Sequence, residues 1–150
     1  RSASANRGAS TSRTIDWVGR QDGGMNEWVV VMRFSVPADG SDSGATAPTF
    51  HEDAAAVARL MAGFEGCRGV DVGRASDDPT IWMVASRWNS VGDYRRALSA
   101  YDMKLHGVPF LSQAIEAPTA FEVLFTVDAN GERAASGDLA SDAGTIDRSR

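Results

Sequence analysis

The chain has 150 residues, of which 43% are hydrophobic and 23% charged, with a formal net charge of −5; that length carries one domain with a real core. The acidic balance argues against nucleic acid or an anionic membrane as the main partner, because both require a basic surface. A single cysteine, Cys67, excludes an intramolecular disulfide and fits a reducing, cytoplasmic setting, and no apolar run approaches the roughly 18–20 residues of a membrane span.

Residues 1–24 are rich in Ser, Ala, Gly and Arg and hold no sustained apolar period. Such a segment buries too little surface to offset its chain entropy, so a disordered N-terminal extension is expected. Its early part, Arg- and Ser-rich and free of acids, has a transit-peptide-like composition, but the plainer and preferred reading is a leader, a fusion remnant or an early start. Met25 then stands as the natural start of a folded unit over 25–127. Residues 27–36 (EWVVVMRFSV) alternate, with Trp28, Val30, Met32, Phe34 and Val36 on one face and Val29, Val31, Arg33 and Ser35 on the other, which is a strand pattern. Pro37 and the Gly- and Ser-rich stretch after it form a loop.

From Thr49 the period becomes helical. Phe50, Ala54, Val57, Met61 and Phe64 fall at steps of three and four, Thr49 and Glu52 are spaced as a capping box, and Gly63 and Gly66 close the element. Glu52 and Asp53, beside His51, would place acids in the first turn. Residues 69–75 and 80–88 read as two strands of a hairpin turned at Ser76-Asp77-Asp78-Pro79. Ser90 followed by Asp93 opens a second helix, whose stripe is Val91, Tyr94, Leu98, Tyr101 and Leu105 until Pro109 interrupts it. Residues 119–127 (TAFEVLFTV) form the last strand, and 128–150, small and charged, a disordered tail.

The order β-α-β-β-α-β defines an α+β, ferredoxin-like fold: one antiparallel four-stranded sheet with both helices on one face. The other face, carrying Val29, Val31 and Met83, is apolar enough to want a partner, and a second copy is the economical one.

The residues over 27–126 resemble the antibiotic-biosynthesis-monooxygenase (ABM) family. The resemblance lies in the hydrophobic first strand, Gly66-Cys67, Asp77-Asp78-Pro79 at the hairpin, Trp88 ending the third strand, and the helix from Ser90 to Tyr101. It implies a homodimeric α/β barrel. Some members of the family oxidise polycyclic phenols or anthrones without a cofactor, others degrade heme, and many have no established activity. The heme-degrading branch carries an Asn in the first strand and a Trp and a His on the later helix. Here those positions are Met32, Ala97 and Gly107. His106 lies one residue from the last, but one residue turns a helix by about 100°, so heme degradation is disfavoured.

Cofactor-free oxygenation needs an electron-rich substrate, a base for its phenolic proton, aromatic walls and a donor for the anion. On that chemistry the candidates are Trp88, Tyr94 and His106 as catalytic residues and Trp82, Arg87 and Tyr101 as substrate-binding residues. Each has a plainer role. Trp82 and Trp88 share one strand parity and suit a core wall; Tyr94 and Tyr101 suit helix packing; Arg87, of opposite parity, suits an interface salt bridge. Arg95, Arg96 and His51 read as surface residues. Cys67 has no evident base beside it, and His51, Cys67 and His106 lack paired ligand spacing, so no metal is expected. No phosphate loop or dinucleotide fingerprint is present, which leaves no cofactor indicated. The function expected is therefore oxygenation of a small phenolic, quinone or anthrone-like metabolite, and the alternative is a non-catalytic dimeric ligand-binding or interaction module.

Overall fold

In the computed structural model, residues 26–38 and 46–137 are described. The expected extension over 1–24, most of the loop before the first helix, and the tail beyond 137 lie outside them.

The first strand, β1 (Trp28–Ser35), keeps the predicted alternation: Trp28, Val30 and Phe34 are buried, whereas Val29 and Val31 are half-buried and Arg33 and Ser35 exposed. Helix α1 (Ala47–Ala62) has its cap three residues before the expected Thr49. Thr46 is its N-cap, and the capping box is Thr46 with Thr49, whose Oγ1 accepts from the Thr46 N–H at 2.9 Å. Pro48 fits the first turn, where a missing N–H costs nothing. No acid falls in that turn, so the dipole contribution expected from Glu52 and Asp53 is absent. Phe50, Ala54, Val57 and Met61 form its buried stripe as expected.

Strands β2 (Cys67–Arg74) and β3 (Ile81–Trp88) make the hairpin, and Asp78 caps its turn by accepting from the Thr80 hydroxyl at 2.6 Å. Between α1 and β2 the chain turns at Gly66, whose φ is +88°. A Cβ there would stand 2.3 Å from the Asp93 carboxyl carbon, so this turn needs glycine twice over. Helix α2 (Val91–Ser99) starts where Ser90 predicted: the Ser90 Oγ accepts from the Asp93 N–H at 3.1 Å.

The second helix then departs from the single stripe. Ala100 is extended, with φ −66° and ψ 146°, and a π-helical turn (Met103–Gly107) leads into α3 (Val108–Leu111). The break resets the helical phase. Met103, Phe110 and Leu111 enter the core, and Tyr101 and Leu105 are left 75% and 51% exposed. Pro109 does not end the helix, because it stands in the first turn of α3.

The sheet order is β2-β3-β1-β4, with β4 (Ala120–Glu122) at the edge of β1; this is the ferredoxin-like arrangement the element order predicted. Helices and strands meet over one face. Trp88, Phe34, Met61, Met103 and Val30 are its largest fully buried apolar side chains, each stabilising by about 1.5–3 kcal/mol. The predicted last strand over 119–127 is interrupted after Glu122. Its second half, β5 (Phe125–Asp128), pairs instead with β6 (Gly131–Ala134) as a two-stranded hairpin. Contacts group that hairpin with residues 122–137 and Asn26 as a unit apart from Glu27–Phe121. The start of the expected disordered tail is thus a strand.

Candidate functional site

On the helix-covered face, β3 presents Trp82, Val84, Ser86 and Trp88 in one row, as its period of two requires. At one end Trp88 is fully buried, its indole Nε1 donates to Ser86 Oγ at 2.8 Å, and its ring meets Tyr94 with centroids 5.5 Å apart. Burial pushes the Tyr94 hydroxyl above its usual pKa. Two predicted catalytic residues are therefore adjacent, but the Trp88 donor is already spent inside the core.

At the other end of the row Trp82 packs on Phe50 at 5.3 Å, within a cluster where Phe34, Phe50 and Phe110 lie 5.1–5.2 Å apart. His51 approaches the Trp82 ring edge at 6.0 Å, and the Arg74 guanidinium lies 5.5 Å from its centroid. The placement of His51 follows from its position next to Phe50 in the first turn of α1.

His106 occupies a third place. It sits on the π-helical turn and borders a cavity of about 290 Å3 whose other walls are Ala56, Val57 and Leu60 of α1. Neither Trp88 nor Tyr94 lines it. Ala56 and Leu60 were not singled out in the sequence; their spacing of four was the available signal, and it reads as ordinary helix packing. The neighbouring Gly107 is buried, and a Cβ on it would meet Met103 Sδ at 2.4 Å, so the position has no room for a side chain.

Arg87 and Tyr101 are not brought to these groups. Arg87 has the opposite strand parity and pairs with Asp71 at 3.0 Å, while Tyr101 projects into solvent because the stripe breaks at Ala100. Cys67 is half-buried; burial pushes its thiol pKa up, against smaller opposing effects of the Gly69 backbone and Arg87. Among the described residues no three His, Cys, Asp or Glu side chains gather as a metal site, and no helix is long and apolar enough to cross a membrane.

A ferredoxin-like sheet with an aromatic core and a cavity between its helices defines the class. Within it, the model of the family described as antibiotic biosynthesis monooxygenase matches residues 28–105, over half of the chain. The protein belongs to that family. Among solved structures it is similar to SnoaB of Streptomyces nogalater, a cofactor-independent oxygenase, at 20% identity and a TM-score of 0.56, covering 68% of this chain and 97% of that one. It is also similar to a conserved protein from Methanosarcina mazei Go1, at 17% identity and a TM-score of 0.52, covering 70% and 97%. At these identities the likeness establishes the fold. No curated protein matches the sequence.

Proposed function

We propose that this chain is a cofactor-independent monooxygenase acting on a small phenolic, quinone or anthrone-like aromatic, with His106 as the base that takes the substrate proton. The observation that carries this reading is the position of His106 at the mouth of an otherwise apolar cavity of about 290 Å3. That volume lies near the lower bound for ligand pockets and suits a small substrate. Imidazole is the side chain most used for proton abstraction, and His106 and Ala56 are both exposed, so a substrate and oxygen reach the hollow directly from solvent. Oxidation of a ring methylene to a ketone by one O2 releases one water, which balances without any external reductant. Membership of the family and the similarity to an oxygenase that needs no cofactor support the same class of reaction.

The proposal includes a homodimer formed through the sheet face opposite the helices. Val29, Val31, Ile81 and Met83 are half-buried apolar residues there, and such a face gains by being covered. The free thiol of Cys67 is in keeping with a cytoplasmic protein. The test is oxygen uptake during aerobic incubation with a panel of anthrones and hydroxyquinones. Turnover that falls in His106→Ala is the expected result; no uptake with any member, or an unchanged rate in His106→Ala, removes the reading.

One observation favours a non-catalytic ligand-binding module instead. Trp88 and Tyr94 pack on each other, with the Trp88 donor bound internally, as walls of a filled core rather than as reagents. Saturable binding of the same aromatics without oxygen uptake would identify that module.

A further inference from the structure

Gly107 is buried, although it ends a turn in which Lys104, Leu105 and His106 are all exposed. Glycine is a poor helix former, so its place there asks for a reason. The reason is Met103, which opens the same turn and is fully enclosed. Its thioether lies over the Gly107 Cα: a Cβ on residue 107 would stand 2.6 Å from Met103 Cε and 3.3 Å from its Cγ, with Sδ closer still. The turn closes on its own methionine, in space that any side chain at 107 would take.

The backbone fixes the same geometry. The Lys104 N–H donates to the Ala100 carbonyl and the Ser112 N–H to the Val108 carbonyl, each at 2.9 Å and four residues back. The Val108 N–H instead reaches five residues back, to the Met103 carbonyl. One wide turn thus lies between two ordinary ones. A wide turn inserts one residue, which rotates the side chains on its two sides relative to each other by about 100°. Met103 does not yield to a side chain at 107, because moving it displaces the core packed around it. The exposed stretch 104–106 is what yields, at the expense of the Val108–Met103 bond. His106 adjoins Gly107, so such a shift displaces the imidazole from its place opposite Ala56, Val57 and Leu60.

We propose that Gly107 is a positioning residue: its bare Cα lets the π-helical turn close over Met103, and that closure holds the His106 imidazole against α1. The proposal rests on the reading of His106 as the base and adds what sets its place. A base works only where its nitrogen meets the proton it removes, and a misplacement of about 1 Å can cost about a hundredfold in rate. Gly107 touches no substrate; it acts through its neighbour.

Nuclear Overhauser contacts in the full chain test the placement without a substrate. In wild-type protein the His106 ring should contact the Leu60 methyls, and the Met103 methyl should contact the Gly107 Hα protons. Gly107→Ala should lose the His106–Leu60 contact. Gly107→Ala/Met103→Ala, where the thioether is gone, should regain it. Asp78→Ala, which loosens the β2–β3 turn by removing the Thr80 acceptor, should keep it, because a general loss of stability does not displace the ring. With an anthrone that wild-type protein oxidises, Gly107→Ala should lower kcat at least about tenfold and leave KM nearly unchanged. Where circular dichroism shows Gly107→Ala unfolded, the wild-type contacts and the double variant carry the test. A folded Gly107→Ala that keeps the His106–Leu60 contact, a double variant that lacks it, or its loss in Asp78→Ala would overturn the proposal. So would wild-type protein that lacks either contact. Failure of wild-type oxygen uptake removes the oxygenase reading alone, since the contacts are read without it.

Discussion

Trp88 donates its indole N–H to Ser86, two residues earlier on the same face of β3, and both side chains are shielded from water. A serine with a large aromatic neighbour on a buried strand face looks out of place by composition, and the bond explains it. Ser86→Ala removes the acceptor and strands the donor, which costs about 1–3 kcal/mol. Urea denaturation should show the midpoint falling with an unchanged slope. A stability equal to wild type would mean the indole finds another acceptor.

Gly66 and Asp93 form a second tight pair. The glycine has a left-handed backbone, and its missing Cβ is replaced by the Asp93 side chain. Asp93 in turn accepts from the Ser90 hydroxyl at 3.0 Å and is paired with Arg96. Gly66→Ala forces both backbone strain and displacement of the carboxylate. Strain of this kind costs about 1–3 kcal/mol. A Cβ on Gly66 would meet the Asp93 Cβ as well, at 2.5 Å, so it is in the Asp93→Gly background, where that atom is gone, that the Gly66→Ala penalty should shrink. A double-mutant cycle in urea measures that coupling, and additive losses would refute it.

The strands and caps were legible in the sequence because their signals are local. Period-two burial in β1, the Asp78 turn and the Ser90 cap need no knowledge of distant residues. Tyr101 failed for a physical reason: a helical stripe propagates phase, and one extended residue at Ala100 followed by a π turn rotates everything after it. Thr46 and Thr49 both suit a cap, and Pro48 between them was the cue that the earlier one starts the helix. The β5–β6 hairpin had its own signal in Asn130-Gly131, masked by the small polar composition of the flanking residues. The cavity beside His106 was illegible, since it depends on how far α1 stands from the π turn, which no spacing encodes.

Alkaline pH should weaken the fold. Burial raises the Tyr94 and Cys67 pKa values above 10.0 and 9.0, so the unfolded chain loses those protons first. Above each unfolded pKa the native state binds more protons, and stability falls as pH rises; below them neither group contributes. Urea midpoints from pH 7 to 11 should therefore decline from about pH 9. Tyr94→Phe should flatten the upper part of that decline, and an identical profile in the variant would remove Tyr94 as a cause. The same shift makes Cys67 slow toward thiol reagents in the native state and faster once unfolded.

Val31 tests the proposed pairing of two sheets. It belongs to the half-buried set opposite the core, between Arg33 and Val29 on β1 and across from Ala85 on β3. A carboxylate placed there still reaches water in a free subunit, where the position is only half-buried, but in a covered interface it is desolvated and unpaired, which costs several kcal/mol. Val31→Asp should thus lower the sedimentation mass toward that of one chain at micromolar concentration while leaving the far-ultraviolet circular dichroism unchanged. Wild-type protein that sediments as one chain would refute the dimer itself. A dimer that persists in Val31→Asp would place the interface elsewhere.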